Sequence, residues 1–141
     1  MVVDSSAFVA ILDEPDGPDY LDALTATRRT AVSALTLYET RIVLSGRRNG
    51  RRRFREGAED QLSALLTGLA VEIVPFTESQ AVLAHQAYLR FGRGFHPAAL
   101  NLGDCAAYAL ARNRGEALLF KGEDFAQTDV ERALTGPGQV P

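Results

Sequence analysis

At 141 residues the chain is most economically a single domain, long enough to bury its own core without disulfides or a structural metal. It is 46% apolar, yet no run approaches the roughly 20 apolar residues of a membrane-spanning helix. The single cysteine, Cys105, rules out an internal disulfide, and the net charge of -3 hides an uneven distribution described below.

The first expected strand is Val2 to Val3. Asp4 follows it, ahead of a helix opening on Ser5-Ser6-Ala7-Phe8. The start, MVVDSSAFVAILDEP, lacks a basic n-region and its apolar stretch is broken by acids, so no signal peptide is expected and the expected location is cytoplasmic. Asp is a common helix cap, but Ser5 or Ser6 could cap the same helix and leave Asp4 aimed at the crevice beyond the strand. TAVS, Thr30 to Ser33, reads as the second strand. In ALTLYETRI, helical spacing puts Glu39 on one face with Leu35 and Ile42, beside Val43, and that face is expected to be buried. A carboxylate there must be paired, with Arg41 or a distant arginine, or else protonated or bound to metal.

RRNGRRRFR, Arg47 to Arg55, carries six of the fifteen basic residues. Arg51, Arg52 and Arg53 are candidate contacts to backbone phosphates, which guanidinium groups grip without reading sequence; the alternative is a solvated connection between helices. Phe54, Ala58, Leu62, Leu65 and Leu69 then form one helical stripe, VEIVPF (Val71 to Phe76) a third strand, and Ala81, Ala84, Tyr88 and Phe91 a second stripe. NLGD opens another helix with Asp104 in its first turn, where the macrodipole favours an anion. Asn101 could cap that turn or steady a neighbouring carboxylate. ALLF, Ala117 to Phe120, is the last clear strand, and FKGEDF places Asp124 just beyond it, with Glu123 and Asp129 competing for the same role. GPGQVP, residues 136–141, reads as a flexible tail, leaving residues 1–135 as the domain.

Short β-branched runs alternating with helical patterns give an α/β class: three layers, α/β/α, around a parallel sheet of four or five strands. In such sheets ligands bind at the carboxyl ends of the strands, where the winding order reverses. Asp4, Glu39, Asp104 and Asp124 stand at strand ends or on helices with apolar faces. Carboxylates at the edge of a core lose hydration unless a positive charge compensates them, so the four read together as a divalent-metal site. His85 and His96 form no convincing pair, and there is no zinc-spaced Cys/His cluster, P-loop or GxSxG elbow. Cys105, among alanines, reads as a packing residue.

The segments Asp4-Ser5-Ser6, Ser33 through Glu39, Asn101-Leu102-Gly103-Asp104-Cys105 and Phe120-Lys121-Gly122-Glu123-Asp124-Phe125 occur in an order that resembles the PIN-domain ribonucleases, and more narrowly the VapC toxins of type II toxin-antitoxin systems. The likeness runs from the first strand to about Asp129. It implies a hydrolase acting on ester bonds, cutting RNA (tRNA, rRNA or mRNA) with Mg²⁺ or Mn²⁺ by metal-activated water. By the same resemblance Asp4, Glu39, Asp104 and Asp124 correspond to the catalytic acids, with Asp4, Asp104 and Asp124 as metal ligands. Ser6 corresponds to the small hydroxyl residue at the substrate and Asn101 is a supporting residue. The implied partners are a VapB-like antitoxin and a second copy of the chain. Two rival readings are a non-catalytic RNA- or antitoxin-binding module and a haloacid-dehalogenase-type phosphatase. The latter requires an acid where Ser6 stands. A receiver domain would require an acceptor Asp after VEIVPF, which is absent.

Overall fold

Val2 and Val3 point to opposite faces of their strand, yet neither is exposed, which is possible only for a strand covered on both faces and flanked on both sides. In the computed structural model, which describes residues 1–48, 51–52 and 56–134, β1 (Val2–Val3) lies between β2 (Ala31–Ser33) and β6 (Leu118–Leu119). The four-stranded parallel sheet has the order β5-β2-β1-β6, with β5 (Glu72–Val74) at one edge. The register pairs Val2 with Ala31 and Leu118, Val3 with Leu119, and Ser33 with Val74. All four strands fall within the short runs read as strands in the sequence. The chain winds outward from β1 through β2 to β5 and then returns to the other side of β1, so the winding reverses between β1 and β6.

Two cores flank the sheet. On one face Val2, Leu118 and Phe120 pack with α5 (Glu78–Phe91) and α6 (Leu102–Arg114). On the other, Val3, Val32 and Leu119 pack with α1 (Ser5–Asp13), α2 (Gly17–Thr25), α3 (Ala34–Leu44) and α4 (Ala58–Gly68). This is the expected α/β/α arrangement. After the 3₁₀ turn Phe125–Gln127 the chain runs back along β6, where Leu118 N–H donates to Glu131 O (2.8 Å) and Ala133 N–H to Leu118 O (3.0 Å). That contact covers the edge of β6 by a single bridge at Arg132.

Three expectations need correction. The buried stripe of α3 is Thr36, Leu37, Thr40 and Leu44; Leu35 and Glu39 lie at its margin, and Ile42 and Val43 are exposed. Thr40 is buried with its hydroxyl bonded inside the helix, Thr40 Oγ1–H donating to Thr36 O (2.8 Å), whereas the Thr36 hydroxyl is buried without a partner. On α5 the buried residues are Ala84, Ala87 and Phe91, with Ala81 exposed and Tyr88 partly buried. The connection between α3 and α4 holds a short antiparallel ribbon, β3 (Arg47–Arg48) with β4 (Arg51–Arg52). Phe54, Arg53 and the tail at 136–141 lie outside the described residues. Among the described residues no helix is long and apolar enough to cross a membrane.

Phe8, fully buried on α1, anchors the second core. Truncation to Ala should cost about 3–5 kcal/mol in urea unfolding. Ile73→Ala, on the half-exposed edge strand, should cost far less; equal losses at the two positions would contradict this assignment of the core.

Candidate metal centre

Asp4 is where β1 becomes α1. Its backbone is extended (φ -88°, ψ 160°) and its side chain caps α1, as the conservative reading of the sequence allowed. The cap uses one oxygen. Oδ2 accepts from Ser6 N–H (3.0 Å) and Ser6 Oγ–H (2.6 Å), while Oδ1 is buried with no hydrogen-bond partner. Ser6 Oγ in turn accepts from Lys121 N–H (3.0 Å), so the hydroxyl joins Asp4 to the end of β6. Burial pushes the Asp4 carboxyl above its ordinary range despite these donors, and the charge of Asp124 pushes the same way.

Glu39 projects from the middle of α3 onto the first turn of α6. A Cβ built on Gly103 would lie 2.0 Å from its Oε2, so the carboxylate occupies the space that the glycine leaves open. Oε2 is buried and unpartnered. Arg41 does not pair with it: that guanidinium is bidentate on Glu59, at 2.9–3.1 Å. Burial, and then the charge of Asp4, raise the Glu39 pKa.

Asp104 is the third residue of α6, in a capping box with Asn101. Asn101 Oδ1 accepts from Asp104 N–H and Asp104 Oδ2 from Asn101 N–H, both at 2.9 Å. The reciprocal bonds fix the rotamer of Asp104 and satisfy one of its oxygens. Its pKa is pushed up to about 7, chiefly by burial, with the carboxylates of Asp4, Glu39 and Asp124 adding to the shift.

Asp124 begins the 3₁₀ turn after β6, is exposed, and makes no side-chain cap. Its charge reaches both Asp4 and Asp104. Of its two competitors, Glu123 is also exposed. Asp129 is engaged elsewhere: it accepts from Tyr108 Oη–H (2.5 Å) and pairs with Arg90 (3.0 Å) and Arg112 (3.8 Å), and these partners, Tyr108 first, hold its carboxyl below the ordinary range.

Four segments distant in sequence thus bring carboxylates to the switch point between β1 and β6. Among the described residues no three potential ligands converge tightly enough to enclose a cation by themselves. The donor set nevertheless fits a hard divalent cation that keeps several waters, because it offers two buried carboxylate oxygens without protein donors and a third acid whose ionisation is opposed by its neighbours. Zinc chemistry has no such support. His85 is exposed, His96 Nδ1 accepts from Ala98 N–H (3.1 Å), and burial pushes the Cys105 thiol up to about 12. Arg51 and Arg52 lie in the β4 ribbon; Arg53 lies outside the described residues. Sequence reasoning passed over Gly103. A glycine inside the first turn of a helix, where it lowers stability, was the available signal of a close approach.

Residues 1–131 match the PIN domain. The chain belongs to the PIN-domain family. Within it, this PIN domain is 46% identical over 136 residues to ribonuclease VapC28 of Mycobacterium tuberculosis, covering 95% of this chain and 98% of that one, which makes it a member of the VapC group. Its fold is also that of VapC20 of M. tuberculosis, described as a sarcin-ricin loop cleaving toxin (TM-score 0.69, 18% identity, 92% and 95% of the two chains). A toxin-antitoxin complex from Klebsiella pneumoniae gives a TM-score of 0.65 at 15% identity, over 99% and 98%.

The raised carboxylates of the PIN domain set the sign of its pH dependence. With Asp104 at about 7 in the folded chain against an ordinary 3.8, the native state binds more protons than the unfolded state across that window, so stability falls as pH rises through it. In EDTA the protein should melt higher near pH 5 than near pH 8, and Asp104→Asn should flatten the difference. A wild-type melting temperature that climbs over this range would show that burial and the neighbouring acids do not oppose ionisation of Asp104 as described.

Proposed function

We propose that this PIN domain is a divalent-metal-dependent endoribonuclease, using Mg²⁺ or Mn²⁺, and the toxin of a toxin-antitoxin pair in the cytoplasm. The observation that carries the reading is the pair of buried, unpartnered oxygens, Asp4 Oδ1 and Glu39 Oε2, beside an Asp104 whose surrounding charges are themselves carboxylates. The likeness to a VapC ribonuclease supports RNA as the substrate, and the fold shared with a toxin-antitoxin complex supports an antitoxin partner.

Asp4 and Asp104 would hold the cation, with Asp124 and Glu39 completing its shell directly or through water. When bound, a divalent cation makes water nucleophilic near neutral pH and takes up charge on the leaving oxygen of a phosphodiester. The chain's own part is positional. Ser6 fixes one oxygen of Asp4 and turns the other inward, and stands where a substrate phosphate would approach; Asn101 does the same for Asp104. Arg51, Arg52 and Arg53 would contribute phosphate contacts away from the reacting bond, consistent with the locally cationic run.

A homodimer is part of the same proposal. Tyr38 (63% exposed) and Leu102 (69%) stand beside Ile42 and Leu35 on an apolar face next to Glu39, and a second copy of the chain would cover it.

The test compares Asp4→Asn, Asp104→Asn and Gly103→Ala with the unaltered chain. Asn retains the capping oxygen but removes charge, so both Asn variants should stay folded, melt no lower in EDTA, and lose Mg²⁺-dependent RNA cleavage. Gly103→Ala should displace only the flexible end of Glu39 and lower cleavage by about 10²-fold with little change in melting. Cleavage that persists in excess EDTA, or in Asp4→Asn, would remove the metal mechanism.

A further inference from the structure

Lys121, the second residue past β6, touches both ends of the helix that Asp4 caps. Its N–H bonds Ser6 Oγ at the start of α1 (3.0 Å). Its ammonium pairs with Glu14, the C-terminal cap of α1, and with Asp16, the residue before α2, at 2.8 Å to Oδ2. The next residue, Gly122, has φ +103° and open space around it, so the chain turns sharply here toward Asp124. A second strut lies opposite: the Arg132 guanidinium stacks on Phe120 (4.6 Å to the ring centre) and donates to Gly122 O (3.4 Å).

An ammonium shared by two carboxylates presents no net positive charge to a polyanion, so direct attraction of RNA is the weaker role for it. What the pair does accomplish is mechanical. It ties the turn carrying Asp124 to the corner between α1 and α2, while the backbone of the same residue is tied, through Ser6, to Asp4. We propose that Lys121 is a positioning residue, whose bridge to Glu14 and Asp16 holds the Phe120–Asp124 turn against α1 and so keeps Asp124 beside Asp4. The inference rests on the metal-centre reading above and assigns to that site a support outside the acidic set.

Three variants of the full chain separate the possibilities: Lys121→Met, the double change Glu14→Gln with Asp16→Asn, and all three together. Amide hydrogen exchange over 121–125 reports the turn, and the Mg²⁺ concentration that gives half of the metal-induced rise in melting temperature reports the site. Both the single and the double variant should speed exchange and raise that concentration by roughly threefold to tenfold, and the triple variant should be no worse than either. RNA cleavage should follow the same metal dependence. A lysine acting alone gives the opposite pattern: freeing it by Glu14→Gln with Asp16→Asn would strengthen RNA cleavage while Lys121→Met weakened it, and that result overturns the proposal. Unchanged exchange, or unchanged metal response, in both variants overturns it as well. Should Lys121→Met fail to fold, the Glu14 and Asp16 double variant decides alone. A wild-type protein with no response to Mg²⁺ would sink the metal centre instead, and exchange would still report whether the bridge holds the turn.

Discussion

Burial of carboxylates in one poorly solvated crevice, with their mutual repulsion added to it, is the constraint around which this fold is arranged. Asp4, Glu39 and Asp104 all have raised pKa values with burial as the first cause, and each feels at least one of the other acids. The arginine nearest in sequence to Glu39 is spent on Glu59, and those near Asp129 are spent there. A chain that only had to fold would gain by replacing these acids with apolar residues or by pairing them. Keeping them costs stability in the metal-free state, and the divalent cation proposed for this site would reverse the sign.

The surrounding structure holds the acids with very little material. Strands of two or three residues suffice because β1, β2 and β6 are covered on both faces, and they end at one edge, where Asp4 and the Asp124 turn emerge on either side of the winding reversal. Capping does double duty. At Asp4 and at Asp104 one oxygen satisfies a helix terminus, which fixes the side chain, and the other is left for chemistry. Gly103 then lets α3 and α6 approach until Glu39 reaches the same space. Function and local stability therefore act through the same residues, and a substitution such as Asp4→Ala would confuse loss of a cap with loss of a ligand.

Much of this was legible in the amino-acid sequence. The four sheet strands stand out as short apolar runs, three of them with β-branched residues, set between helical patterns, and the order of Asp4, Glu39, Asp104 and Asp124 along the chain carried the family resemblance. The less legible features depend on contacts between distant segments. Thr36 and Thr40 hid the buried face of α3, since both look polar in sequence yet are fully enclosed, Thr40 with its hydroxyl bonded to its own helix and Thr36 with its hydroxyl unpartnered. That Asp129 is engaged elsewhere turned on Tyr108, Arg90 and Arg112, none of them its sequence neighbour. By its place in the sequence Asp4 is either a cap or a free acid; in the structure it divides the two roles between its oxygens. The pairing of Lys121 with Glu14 and Asp16 spans more than a hundred residues and left no local pattern.

The central claim is that a cation displaces protons from carboxylates that resist ionisation. Calorimetric titration of Mg²⁺ into the full chain, in two buffers of different ionisation enthalpy, measures that displacement directly. Near pH 6, below the Asp104 value of about 7, binding should release a proton, and the release should fall well above that value and in Asp104→Asn. Mg²⁺ binding with no proton release at either pH, or release undiminished in Asp104→Asn, would contradict the account.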